Sequence, residues 1–240
     1  MFKKSLFFVF VLVLIAASSS SAFRAEVRDE KSLSNEEDRV YNAIEVIEEM
    51  VEIPEEGIPE ALLSKAYGIA IIPKVIKAAW VVGGRYGKGV LLVRKDTGKW
   101  SQPCFIRIAG GSVGWQIGVQ SADIILVFKR RKSVDSITEG KITLGADASV
   151  AAGPVGRRVE ASTDIALEAE IYSYSKSRGL FAGVSIEGAA IQIDEEANSN
   201  FYRRDYVSPQ DILFGERRLQ TPAIAEKLRK ILTQYTSTYL

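Results

Sequence analysis

The spacing of apolar residues changes three times along the chain, and each change predicts a different kind of element. In "SNEEDRVYNAIEVIEEMVE" Val40, Ile44, Ile47 and Val51 recur every three to four residues between acids, the spacing of an amphipathic helix. Ser34 or Asn35 is placed to cap it, Glu36, Glu37 and Asp38 favour its positive end, and Pro54 closes it. "GIPEALLSKAYG" predicts a short second helix, with Pro59 suited to its first turn and Gly68 to its stop. From Ile69 the period falls to two. "IAIIP", "AAWVVGG", "KGVLLVRKDTGKWSQPCFIRIAGG", "VGWQIGVQ" and "ADIILVFK" are short β-type runs, with Asp96 and Gly98 marking a hairpin turn.

"SVDSITEG" reads as a single helical turn, after which alternation resumes through "KITLGADASVAAGPVGRR", "VEASTDIALEAEIYSYSKS" and "GLFAGVSIEGAAIQID". In the middle run Ala161, Thr163, Ile165, Leu167, Ala169 and Ile171 share one face, while Ser162, Asp164, Glu168, Glu170 and Tyr172 lie largely on the other. The tail returns to helical spacing: Ser208 and Pro209 open a short helix, and Thr221 with Pro222 a second carrying Ile224, Leu228 and Leu232. The pattern predicts an α+β fold, a large curved antiparallel β-sheet or partial β-barrel flanked by N-terminal and C-terminal helices.

The glycines of "RIAGGSVGWQIGVQ" sharpen that picture. A Walker loop needs "GK[ST]" opening a helix, whereas Gly118 precedes Val119 and Gln120. Val113, Trp115, Ile117 and Val119 keep period two, which excludes a helix seam. Gly114 and Gly118 then share the opposite face and predict a sharp bend.

Composition adds a core and an address. The 240 residues are 47% hydrophobic and 25% charged, enough for one sizeable core. "MFKKSLFFVFVLVLIAASSSSAF" places Lys3 and Lys4 before an apolar run from Leu6 to Ala17 and small residues ending at Ala22. That is the layout of a secretory signal peptide cleaved between Ala22 and Phe23, and its apolar run is short of the ~20 residues a spanning helix needs. The expected organisation is a signal peptide over 1–22, a linker over 23–34, a binding domain over 35–205 and a helical extension over 206–240 packing on the same domain. Export implies a periplasmic or extracellular/lumenal location, a peripheral-membrane one included. The lone Cys104 excludes an intramolecular disulfide and reads as a small buried hydrophobe in a strand.

Charge and chemistry narrow the function classes. Residues 23–60 carry net −9 and residues 61–240 net +8, too weak a basic excess for nucleic-acid binding on charge alone. The absence of histidine excludes Ser-His-Asp and Cys-His nucleophile systems and His-ligated metal sites. Asp147 with Asp164, or Asp194 with Glu195 and Glu196, remain open as a hydrolytic pair or as solvated turn charges. No catalytic residue, metal site or cofactor is assigned. Three basic clusters each follow an expected strand end at the sheet rim: Lys129, Arg130, Arg131 and Lys132; Arg157 and Arg158; Arg203 and Arg204. They read as ligands for lipid head-group phosphates or as charges that solvate the rim. Trp80, Trp100, Trp115, Phe181 and Tyr202 are candidates for a membrane-seeking edge, with Trp100 expected exposed and Trp115 in the core.

The ordered set "GGSVGWQIG", "GPVGR" and "GLFAGVSIEG", within Glu36 to Arg204, resembles the SYLF lipid-binding domain family. Its members occur in bacteria and in eukaryotic adaptor proteins, where phosphoinositide binding and, in yeast, actin binding are attributed to the domain. The resemblance implies association with an anionic phospholipid or phosphoinositide surface through head groups, without catalysis. It implies as the alternative a protein-interaction or actin-binding-like scaffold. In some members an amphipathic segment near the domain start engages the bilayer. Here that helix carries Glu45, Glu48, Glu49 and Glu52, an acidic face that anionic lipid repels.

Overall fold

A computed structural model describes residues 34–51, 53, 57–79, 82–113, 118–156, 168–177, 179–184, 186–215 and 219–237. The fold is that of the unit beginning at Asn35. The expected signal peptide, the linker up to residue 33, the alternating stretch 161–167, and Trp80, Gly114 and Trp115 lie outside the described residues.

Nine strands among the described residues form one sheet: β1 (Gly68–Ala79), β2 (Val82–Val93), β3 (Cys104–Val113), β4 (Gly118–Phe128), β5 (Lys141–Thr143), β6 (Val150–Ala152), β7 (Ile171–Ser177), β8 (Leu180–Gly183) and β9 (Ala189–Ile193). Their order is β5-β9-β3-β2-β1-β4-β7-β6, with β8 also on β7. Pairing is antiparallel as expected except at one edge, where β6 runs parallel to β7. The outer edge of β7 is thus shared, β6 against its first half and β8 against its second.

Alternation gives the sheet two faces. The inner face carries Leu91, Val93, Cys104, Ile106, Ile108, Leu126 and Phe128, all buried. Three glycines let the sheet curl toward it. A Cβ on Gly87 would lie 2.7 Å from Val75 Cγ2, one on Gly89 would strike the Ile71 carbonyl, and one on Gly110 would lie 2.7 Å from Ala189 Cα. With no side chains there, neighbouring strands close together on that side. The helix Arg131–Thr138 fills part of the concavity through Val134 and Ile137.

The outer face is covered along half its length. Helix α1 (Asn35–Val51) buries Val40, Ala43, Ile44, Ile47 and Met50 against it, so the expected apolar stripe is used in the core. Polar contacts show that α1 crosses the strands. Arg39 meets Asp194 beyond β9 at 3.0 Å, Lys74 of β1 reaches Asn42 at 3.1 Å, and Lys176 of β7 pairs with Glu49 at 2.7 Å. The short α2 (Glu60–Ser64) follows. Gly68, expected to stop that helix, instead opens β1: its missing side chain leaves room for Val134, whose Cγ2 would be 3.2 Å from a Cβ. "SVDSITEG" is longer than one turn, forming α3 (Arg131–Thr138).

The tail forms α4 (Glu195–Tyr202), α5 (Pro209–Leu213) and α6 (Ala223–Thr236). Ser208 Oγ accepts the Asp211 N–H at 3.0 Å and Pro209 occupies the first turn of α5, as expected, a cap worth about 1 kcal/mol. Helix α6 buries Ala225, Leu228 and Leu232 against α1 and α2, each leucine contributing roughly 1.5–3 kcal/mol.

Strand β1 is kinked. Its register shifts between Ile71 and Ile76 against β2, and between Ile72 and Val75 against β4. Lys74 sits at the break with φ 52°, and its N–H donates to Asp123 Oδ1 at 2.8 Å. A left-handed lysine is unfavourable by itself, and the Asp123 bond holds it there.

Candidate functional site

The first basic cluster is partly engaged within the fold. Lys129 follows β4 with its ammonium 5.8 Å from the Tyr172 ring, and burial, then Arg130 and Lys65, push its pKa down. Arg130 lies 3.8 Å from Glu170, and Arg131 lies 3.4 Å from Asp135 and over the Phe214 ring. Lys132 is exposed. Arg131 and Lys132 belong to the first turn of α3 rather than to a rim loop, the end of a helix that disfavours cations.

Arg203 and Arg204 follow a helix, not a strand. Arg203 adopts φ 53° at the C-cap of α4, where positive charge suits the helix dipole, and both side chains are exposed. Arg157 and Arg158 lie outside the described residues. Tyr202 O–H donates to the Pro103 carbonyl at 2.6 Å, which ties the end of α4 to the start of β3. Lys129 leaves the end of β4, and β3 and β4 are separated by β2 and β1. Three strand steps make about 14 Å, so these clusters occupy one end of the sheet without forming one patch.

The aromatic edge is corrected for two residues. Trp100 is buried beneath α6, its Nε1–H donating to Thr236 Oγ1 at 3.2 Å and Arg94 lying 5.2 Å from its ring. Tyr202 is also buried, and burial drives its hydroxyl pKa well up. Phe181 is half-buried and stacks on Tyr174 at 5.6 Å. Cys104 is buried as expected, its thiol pushed up to about 12 by desolvation.

The candidate carboxylates have other tasks. Asp194 is buried with Arg39 at 3.0 Å and Lys88 at 4.0 Å, while Glu195 and Glu196 are exposed in the first turn of α4. Asp147 accepts the Thr143 N–H at 2.6 Å across a turn, and Asp164 lies outside the described residues. A cavity of about 550 Å³ lies between the β2–β3 hairpin and α5 and α6. Its Glu226 is paired with Arg229, and Lys95 bridges it by donating to the Gly215 carbonyl. Among the described residues no group of three or more Cys, Asp or Glu comes together as a metal site, and no helix is long and apolar enough to cross a membrane.

What the spacing alone did not locate is the half of the outer face beyond α1. Two rows stand there in register. One is Lys88, Arg107, Gln192 and Lys141 on β2, β3, β9 and β5, all exposed. Arg107 and Lys141 make no ion pair among the described residues. The next row is Ile76, Tyr86, Ala109 and Ala190 on β1, β2, β3 and β9. Beside it Val119 faces Ala78. Ile76 is 51%, Tyr86 47% and Val119 71% exposed, large apolar side chains left in water. Finding these rows needed the pairing: Lys88 and Arg107 are 19 positions apart and Lys141 lies across α3.

A curled α+β sheet whose inner face is filled at one end, and whose outer half carries exposed cations beside apolar side chains, defines a binding domain. A family model described as "Ysc84: Las17-binding protein actin regulator" matches residues 109–235, and the chain belongs to this family, the one its motifs resemble under the name SYLF. It is 38% identical over 212 residues to the SH3 domain-containing YSC84-like protein 1 of Homo sapiens, covering 86% of this chain and 61% of that one. It is 42% identical over 178 residues to Protein YSC84 of Saccharomyces cerevisiae, covering 73% of this chain and 37% of that one. LAS seventeen-binding protein 3 of the same yeast is 40% identical over 185 residues, covering 76% and 39%. The chain thus spans about three fifths or less of these relatives.

Proposed function

We propose that this protein is a non-enzymatic binding module that docks on anionic phospholipid through the bare half of its outer sheet face. The observation that carries the reading is the register of Lys88, Arg107 and Lys141 beside exposed Ile76, Tyr86 and Val119. Cations attract the head groups and the apolar row enters the interface, a pairing neither row achieves alone. Exposed Lys132, Arg203 and Arg204 add positive charge at the other end of the sheet, and Arg157 and Arg158 complete the proposed head-group set. The signal-like leader supports export, so the membrane met is one facing the periplasm, lumen or exterior.

Cosedimentation with phosphatidylcholine vesicles containing or lacking phosphatidylglycerol tests it. Binding is expected to require the anionic lipid and to weaken with salt. Replacing Lys88, Arg107 and Lys141 together by Gln is expected to weaken it roughly 100-fold, at about 1 kcal/mol per cation. Equal binding to both vesicles, or an unchanged triple variant, rejects the reading.

A protein partner is the second reading, favoured by relatives whose names denote binding to Las17 and by a family described as actin regulators. Lipid-free pull-down that loses its prey on Tyr86→Ser would favour it.

A further inference from the structure

The inner face holds a second, unrelated feature at the same end of the sheet. Arg85 of β2 stands directly opposite Lys77 of β1, and Lys77 opposite Gln120 of β4. On its other side Arg85 faces Gly110, where β9 closes in through Ala189. Like charges opposite one another on paired strands repel, and no carboxylate stands in this row to offset them. Arg85 is half-buried, and its Nε–H is shielded from water without an acceptor among the described residues. Burial draws its pKa down. A half-buried guanidinium held opposite a second cation, with no carboxylate in the row, favours an anionic acceptor from outside the fold.

We propose that Arg85, with Lys77 and Gln120, binds a phosphate-type oxyanion on the inner face of the sheet. The guanidinium offers a forked donor pair, the ammonium a second charge, and the Gln120 amide a neutral donor. The anion would relieve the Lys77–Arg85 repulsion. This site lies on the opposite face from Lys88, Arg107 and Lys141, so it does not depend on the docking reading. The oxyanion can be free phosphate or the phosphomonoester of a lipid.

The test compares the full-length chain with Arg85→Met. Inorganic phosphate is expected to raise the melting temperature of the wild-type chain above that in sodium chloride of equal ionic strength. Arg85→Met is expected to melt no lower than wild type without phosphate, since it removes an uncompensated charge, and to bind phosphate at least about tenfold more weakly. A lipid source appears instead as binding to phosphatidic acid vesicles, over plain phosphatidylcholine, that Arg85→Met loses. Should that variant not fold, Arg85→Lys keeps the charge without the fork and provides the same contrast. The Lys88, Arg107 and Lys141 triple variant should retain the phosphate effect. No response of the wild-type chain to either probe, or a response that the Arg85 variants keep in full, overturns the proposal.

Discussion

The two ends of this sheet are built to opposite rules. At the end where β1 begins and β4 finishes, both faces are covered, by α1, α4 and α6 outside and α3 inside, and side chains such as Leu92, Phe105 and Val127 are wholly buried. At the end where β1 finishes and β4 begins, the same strands expose Ile76, Tyr86 and Val119 on one face and leave the Arg85 Nε–H without an acceptor among the described residues on the other. One continuous set of strands thus carries the stability at one end and spare binding capacity at the other. The difference teaches that an exposed apolar row or an orphan donor is affordable where the rest of the strand is anchored.

The sharpest way to break the comparison is at the covered end. Asp194→Ala leaves the largely buried Arg39 without its partner and is expected to cost about 3 kcal/mol, read by urea unfolding. Gly89→Ala forces a Cβ against the Ile71 carbonyl at the curl and is expected to cost about 1–3 kcal/mol. Alkali acts on the same end. Cys104, Tyr174 and Tyr202 all have folded pKa values raised by burial, so the unfolded chain releases their protons first. Stability contributed by Cys104 is complete below its ordinary value of 9.0 and is lost as pH rises toward about 12, at up to ~1.4 kcal/mol per pH unit. A Cys104→Ala variant should therefore show a shallower alkaline decline by chemical denaturation. At the open end, Ile76→Ser, Tyr86→Ser and Val119→Ser should each change stability by no more than about 0.5 kcal/mol while reducing vesicle binding. Losses of several kcal/mol there would erase the distinction between the ends.

Much of the covered end was legible in the chain. The stripe of Val40, Ile44 and Ile47, the Asp96 and Gly98 hairpin, the Ser208 cap and the Leu228 and Leu232 pair each encode their element locally. Lys95 and Lys99 close that hairpin, with Gly98 at φ 78°. Trp100 misled because a residue beside a turn is exposed by default, and its cover arrives from α6, 136 positions later. Gly68 misled because its purpose is close contact with Val134, a partner the local sequence does not name. The open end was illegible for a related reason. Alternation tells which residues share a face but not which face a helix covers, and the cation row exists only once β2, β3, β9 and β5 are paired. The clusters that spacing did reveal, such as Arg130 and Arg131, turned out to spend their charge on Glu170 and Asp135.

The shared edge of β7 bears on how the protein behaves when many copies gather. A long unpaired strand at a sheet margin is a template on which a second molecule can extend the ladder. Here the margins are β5 and β6, each spanning three residues, and β8, spanning four, with β6 and β8 running in opposite directions along one neighbour. Among the described residues a visiting strand would find no straight edge run long enough to register on. Copies concentrated side by side on a surface are therefore expected to stay separate molecules, giving reversible accumulation instead of a growing fibre.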